Sequence, residues 1–250
     1  MRYRFNDIPG ALPILGVVST SSLSDAVGLL QAFEGSVLDI VTLSLRVSLS
    51  AVALGMLVGL PLGALTAVAR FPGRSVVVVL LNSFMALPSV IVGVAVYLLL
   101  SRSGPLGSFG LLFTPSAMVV AQTCLTLPLI AALTRQIVED AWRQHGETLR
   151  SLRLSLAARV RVLLWDCRFS VVVVMLAGLG RAISEVGAVM IVGGNIDRVT
   201  RTMTTAIALE TSKGDLALSL ALGIVLMTLV LTLNAFASSV RTVAMRRYGA

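Results

Sequence analysis

Five apolar runs limit this chain to one broad outcome, a bundle of membrane-spanning helices. They cover approximately residues 41–69, 76–100, 111–133, 170–192 and 216–240, and each is long enough to cross about 30 Å of hydrocarbon. Backbone groups in hydrocarbon find no water to bond, so runs of this length have to satisfy themselves as helices. Composition agrees: 56% of residues are hydrophobic and 13% charged, where soluble domains carry about a quarter charged. The expectation is an all-α integral membrane protein with five core transmembrane helices forming one domain over residues 37–240. A segment over 1–36 precedes it and a tail over 241–250 follows. Within the N-terminal segment, residues 8–22 are apolar but short and interrupted by Pro9 and Pro13. An interfacial or extended stretch fits better than a cleaved signal or a sixth span. Leu23, Val27, Leu30 and Val37 then recur at helical spacing beside Asp25, Glu34 and Asp39, the pattern of a helix lying on the membrane surface.

Charge gives the orientation. The connections after the first and third runs and the C-terminal tail hold twelve basic residues: Arg70, Arg74, Arg135, Arg143, Arg150, Arg153, Arg159, Arg161, Arg168, Arg241, Arg246 and Arg247. The opposite connections hold four, Arg102, Arg198, Arg201 and Lys213. The positive-inside rule places the basic side and the C-terminus in the cytoplasm of a cell (inner) membrane protein. Five spans then put the N-terminus outside, and a sixth crossing would reverse it. The net charge of +8 thus reads as charge facing headgroups, with no nucleic-acid partner.

Several classes of chemistry are disfavoured. Cys124 lies in an apolar run, Cys167 in a basic connection, and His145 is the only histidine. No disulfide, metal site, cofactor or catalytic triad is expected from that set. There is no P-loop, and the only lysine is Lys213, so the chain is not its own ATPase. No 20–50-residue repeat is evident, unlike most secondary transporters.

Within the spans, Gly55, Gly59 and Gly63 form a small-residue ladder that lets another helix approach closely. Packing inside one subunit is preferred over a subunit interface. Pro61, Pro88 and Pro128 each free a carbonyl, and a helix bend is the default reading. Arg46, near the outer end of the first span, is expected to snorkel toward the interface. Arg181 and Glu185 lie about half a span deep, four residues apart and able to meet on one helix face. An internal ion pair holding helices in register and a pathway role both stay open. An acidic group repels anions, so Glu185 is a poor anion ligand and Arg181 a better one. Gly193-Gly194-Asn195 ends this run either as a helix C-cap or as an amide nest for an anion. Thr200, Thr202, Thr204 and Thr205 follow with hydroxyls. In the basic connection, Leu149, Leu152, Leu156 and Val160 recur at helical spacing. That predicts a short helix whose apolar stripe meets either anionic headgroups or a groove of a soluble partner.

Together these residues resemble the permease subunit of type I ABC importers for oxyanions, and tungstate permeases most of all. The resemblance is most specific over residues 180–196 (GRAISEVGAVMIVGGNI) and 201–215 (RTMTTAIALETSKGD). It continues in 70–74 (RFPGR), 99–107 (LLSRSGPLG) and 112–115 (LFTP), and covers roughly 37–240. Molybdate permeases share the Arg-Ala…Glu…Gly-Ala core but usually differ around Gly193-Gly194-Asn195, and are the near alternative. The resemblance implies the type I permease fold, a homodimer, two cytoplasmic ATPase subunits, and a periplasmic or lipid-anchored solute-binding protein delivering tungstate. It implies no catalytic residue in this chain. It assigns ATPase coupling to Glu147, Thr148, Leu149, Arg150, Ser151, Leu152 and Arg153. Arg153 stands where that family's coupling motif carries glycine, and Leu154 replaces a small residue. Arginine there opposes φ > 0 and adds charge and bulk. Pathway or gate candidates are Arg181, Ser184, Glu185, Gly187, Gly193, Gly194 and Asn195. The rival classes are an ion channel, which needs no coupling helix, and a non-transporting membrane subunit.

Overall fold

The computed structural model describes residues 34–248, so the interfacial segment expected near the N-terminus lies, up to residue 33, outside the described residues. Every helix and turn of helix among them is α or 3-10. The helices are α1 (Glu34–Val68), α2 (Arg74–Met85), α3 (Ser89–Leu100), α4 (Pro115–Ser151), α5 (Leu156–Asp166), α6 (Arg168–Ile183), α7 (Gly187–Gly193), α8 (Met203–Lys213) and α9 (Leu216–Tyr248). Three stretches are long and apolar enough to cross a membrane unaided, Val37–Val68, Pro115–Ser151 and Leu216–Ser239. Two bent pairs, α2 with α3 at 101° and α5 with α6 at 78°, bring the count to five if each pair is one span.

Two of the expected runs are therefore not simple helices. The run over 76–100 folds back on itself at Ala86–Pro88. Proline lacks an N–H and pushes its predecessor out of the α region. Ala86 and Leu87 close the first half with short-range bonds to Ser83 and Phe84, and the Pro88 carbonyl accepts from Ile91 and Val92 to start the second. The run over 170–192 breaks at Ser184–Val186, between α6 and α7. Conversely, α4 passes without interruption from the third apolar run into the basic connection. The tail expected from 241 onward continues α9 as helix to Tyr248.

α1 and α4 are the most extensively packed pair, and the glycine ladder is the reason. A Cβ on Gly63 would lie 2.3 Å from the Ala131 carbonyl oxygen, and one on Gly59 3.0 Å from the Ile130 side chain. The ladder thus serves contact within one subunit. Such close backbone approach gains dispersion contacts that lipid tails cannot supply. Pro61 and Pro128 sit inside these two clamped helices without ending them.

At the basic end, Arg74 donates through Nε to the Thr66 carbonyl at 2.6 Å and pairs with Glu139 at 3.6 Å. Glu139 also receives Arg135 and, at 3.6 Å, Arg143. One carboxylate thereby ties α2 to α4 beside the last turn of α1.

Candidate functional site

The sequence-predicted residues fall into two places. The first is the break between α6 and α7. Arg181 Nη1 donates to Glu185 Oε2 at 2.6 Å, so the two side chains meet as their spacing predicts. Glu185, however, lies beyond the end of α6, and its second oxygen accepts the Ala188 N–H at 3.1 Å. The carboxylate therefore bridges the two half-helices: it pairs with a cation on the last turn of one and satisfies an orphan N–H on the first turn of the other. Only 3% of Glu185 is exposed, against 36% of Arg181. Ser184 caps α6 and donates back to the Gly180 carbonyl at 2.9 Å.

Neighbouring elements close round the break. Gln122, deep in α4, donates to the Ala182 carbonyl at 3.0 Å. Thr204, on α8, donates to the Glu185 carbonyl at 2.7 Å. Ser44, on α1, accepts the Met203 N–H at 2.8 Å and donates its own O–H to the Ile40 carbonyl at 2.7 Å. Broken backbone at membrane depth is tolerated where protein groups replace lost helix bonds, and Gln122 and Thr204 do so for the Ala182 and Glu185 carbonyls. Gln122 and Ser44 carry the arrangement but were not singled out by motif, whereas Thr204 was named for its hydroxyl without this partner. A lone amide in the apolar run 111–133 was the available signal for Gln122, since polar groups at that depth find protein partners.

The glycines of the stretch are spent on packing. A Cβ on Gly187 would lie 2.9 Å from Val90, one on Gly193 3.0 Å from Met118, and one on Gly93 of the facing helix 2.8 Å from the Ala188 Cα. α7 is thus wedged between α3 and α4, in a core that includes Val96, Met118, Ala121, Val189 and Val192. Gly194 takes φ 71° and returns its N–H to the Met190 carbonyl, which is C-cap geometry. Phe113 lies over it and donates its N–H to the Val192 carbonyl at 2.9 Å. The Leu-Phe-Thr-Pro and Gly-Gly-Asn stretches, far apart in sequence, are therefore one joint.

Beyond the cap, Asn195 (φ 50°) donates to the Thr205 carbonyl at 3.3 Å. The threonine hydroxyls turn inward. Thr200 donates to the Gly193 carbonyl at 2.6 Å and accepts from Ile196 N–H, while Thr202 and Thr205 form a capping box on α8. On the far side of α1, Arg46 is exposed and lines a cleft of about 320 Å³ with Asp39, Asp197, Arg198 and Arg201. Arg201 and Asp197 pair there at 3.0 Å.

The second place is the corner between α4 and α5. The apolar stripe over Leu149, Leu152, Leu156 and Val160 does not lie on one short helix as predicted. α4 ends at Ser151, Leu152 caps it, and Ser155 opens α5 by accepting the Ala158 N–H. Leu149 and Val160 turn inward against Ala64, Val68 and Val138. Leu152 turns out and is 61% exposed. Arg153 holds the turn at φ 51°, the left-handed conformation that glycine adopts after a helix. The expected obstacle of an arginine in that position is met by the Arg153 backbone adopting the left-handed geometry despite its side chain. Glu147, Thr148, Arg150, Ser151 and Arg153 are all exposed around Leu152. Arg150 lies 5.0 Å over the Trp142 ring, which holds its charge against the helix.

Among curated proteins, the chain is 42% identical over 214 residues to the probable anion ABC transporter permease protein of Haloferax volcanii, covering 81% of this chain and 89% of that one. It is 39% identical over 213 residues to the tungstate uptake system permease protein TupB of Peptoclostridium acidaminophilum, covering 84% and 92%. The chain belongs to the ABC transporter permease family. The more distant relatives of this permease include the molybdenum transport system permease protein ModB of Azotobacter vinelandii, 28% identical over 49% of this chain and 58% of that one. No protein-family model matches the chain. Family membership makes the permease a multi-pass membrane subunit without catalysis of its own; a separate ATPase hydrolyses ATP and a substrate-binding protein completes the system.

Proposed function

We propose that this permease imports tungstate across the cell (inner) membrane as a homodimer, with its basic end and C-terminus in the cytoplasm. The observation that carries the cargo is the 39% identity over 213 residues to a tungstate uptake permease. The more distant relation to a molybdenum permease makes molybdate the competing cargo. Excess arginine at the α4–α5 end supports the orientation, and that end also presents the exposed corner.

In this reading the corner of Glu147–Arg153 receives the ATPase. Leu152 enters a groove on it, and Arg150 and Arg153 set its charge. Leu149, buried beneath, passes displacement into the cluster joining α4, α5 and the end of α1. α4 runs unbroken from that corner to Gln122, which touches the break. A rigid helix thus links the ATPase surface to the Arg181–Glu185 joint, where two half-helices change angle without exposing unpaired backbone. Arg181, Ser184, Glu185 and Gly187 form the hinge, and Gly193, Gly194 and Asn195 anchor its outer end. Glu185 is a hinge group and not an anion ligand, since its carboxylate is already committed and repels oxyanions.

The test is reconstitution of the permease in liposomes with its ATPase and solute-binding partners. Tungstate should stimulate ATP turnover more than molybdate at equal concentration. The reverse preference would move the cargo to molybdate. Uptake that persists without ATP would make the protein a channel.

A further inference from the structure

Where α1 meets the bend between α5 and α6, an open apolar groove of about 590 Å³ runs past Leu65, Leu164 and Val171. Arg161, Arg168 and Trp165 stand at its edge. We propose that this groove is a binding site for one anionic phospholipid, with an acyl chain against α1 and the phosphate at Arg161.

Three observations converge on that occupant. Trp165 is 72% exposed, and an exposed indole beside apolar surface belongs at the headgroup level. Arg168 stacks 5.4 Å over the Trp165 ring and 4.7 Å over Phe169, which fixes a cation at the same level. Arg161 is exposed on α5, and none of the ion pairs among the described residues includes it. The 78° bend sets α5 across the direction of α6, so α5 lies along the bilayer surface when α6 enters it. Below α5 the groove walls are hydrocarbon, and Leu65 is partly exposed within them. Apolar walls of this kind take an acyl chain, and basic pockets between spans favour a negative headgroup. A zwitterionic lipid supplies the same chain without the net charge that Arg161 selects. The site rests on the membrane reading of the chain and is independent of its cargo.

Native mass spectrometry of the permease–ATPase complex, equilibrated in micelles containing equal phosphatidylglycerol and phosphatidylcholine, tests it. The complex should retain phosphatidylglycerol preferentially. Arg161→Gln should lower that retention about fivefold, while Arg102→Gln, at the opposite end, should leave it unchanged. Leu65→Trp, which fills the groove, should remove the bound lipid with thermal unfolding and oligomeric state unaltered. Equal retention of the two lipids overturns the proposal, as does retention indifferent to Arg161→Gln. Dissociation of the oligomer by Leu65→Trp would show that a second copy covers the groove, and loss of the ATPase by Arg161→Gln with lipid retained would give the arginine to that partner. Either overturns it too. Tungstate stimulation reports separately on the transport reading.

Discussion

The break at Ser184–Val186 and the corner at Leu152–Ser155 both interrupt helices, and they are built in opposite ways. At the break the Ala182 and Glu185 carbonyls and the Ala188 N–H each have a side-chain partner. Glu185 joins two half-helices, Gln122 and Thr204 reach in from α4 and α8, and α7 packs so closely that a methyl group on Gly93, Gly187 or Gly193 would crowd a neighbour. At the corner the packing lies only beneath, through Leu149 and Val160. The outer surface is left to Leu152 and arginines, and the turn is held by a residue in a conformation that suits glycine. In the proposed reading the difference separates an internal joint from a contact surface for the ATPase. A joint buried in the bundle has to be complete in itself, whereas a surface made for another protein is completed by that protein.

The largest effect that separates the two regions is expected at Glu185. Glu185→Ala leaves the partly exposed Arg181 without its anion and Ala188 without its acceptor, a loss of about 1–3 kcal/mol, read as a fall in thermal unfolding temperature with abolished uptake. Docking of the ATPase should persist, since the corner is untouched; equal loss of docking would erase the distinction. Glu185→Gln keeps an oxygen for the Ala188 N–H and should lose about half as much. Next comes Gly93→Val, which forces α3 from α7. It should cost about 1–3 kcal/mol and reduce transport, measured by the same unfolding and uptake assays. Unchanged unfolding would show that α7 is loosely held. At the corner the signature inverts. Leu152→Asp should weaken ATPase docking about tenfold by pull-down or surface binding, with thermal unfolding unaltered.

The spans were legible because hydropathy over twenty residues integrates many weak preferences. The bends were less so. Pro61, Pro88 and Pro128 look alike in sequence, yet only Pro88 ends a helix. The first and last lie in helices that clamp each other along Gly55, Gly59 and Gly63, while Asn82–Ala86 before Pro88 is exposed on every side chain. That support is tertiary and no local pattern carries it. Arg181 and Glu185 were readable as a pair from spacing alone. The end of α6 between them was not, because the Gln122 amide and the Thr204 hydroxyl that stabilise the break come from elsewhere in the fold. Gly194 was readable as a cap, but its partner Phe113 sits in another run. At the corner, helical spacing from Leu149 to Val160 persisted by coincidence across a turn. Ser155, a residue that favours helix starts, was the local sign of interruption.

Arg153 gives the smallest effect and the sharpest discrimination. A non-glycine residue in the left-handed region costs about 1–2 kcal/mol, while glycine adds about 0.5–1 kcal/mol of unfolded-chain freedom. Arg153→Gly should therefore raise stability by only about 0.5–1 kcal/mol, the difference of those two, a slight rise in unfolding temperature. Its effect on coupling has two separable origins. If the turn geometry governs ATPase stimulation, Arg153→Gln, which keeps an ordinary side chain in the left-handed region without charge, behaves like the native chain while Arg153→Gly departs from it. If the exposed cation governs it, Arg153→Lys retains stimulation and the other two lose it together. Solute-binding protein docking at the far end serves as the control, since a surface completed by the ATPase alone leaves it unchanged.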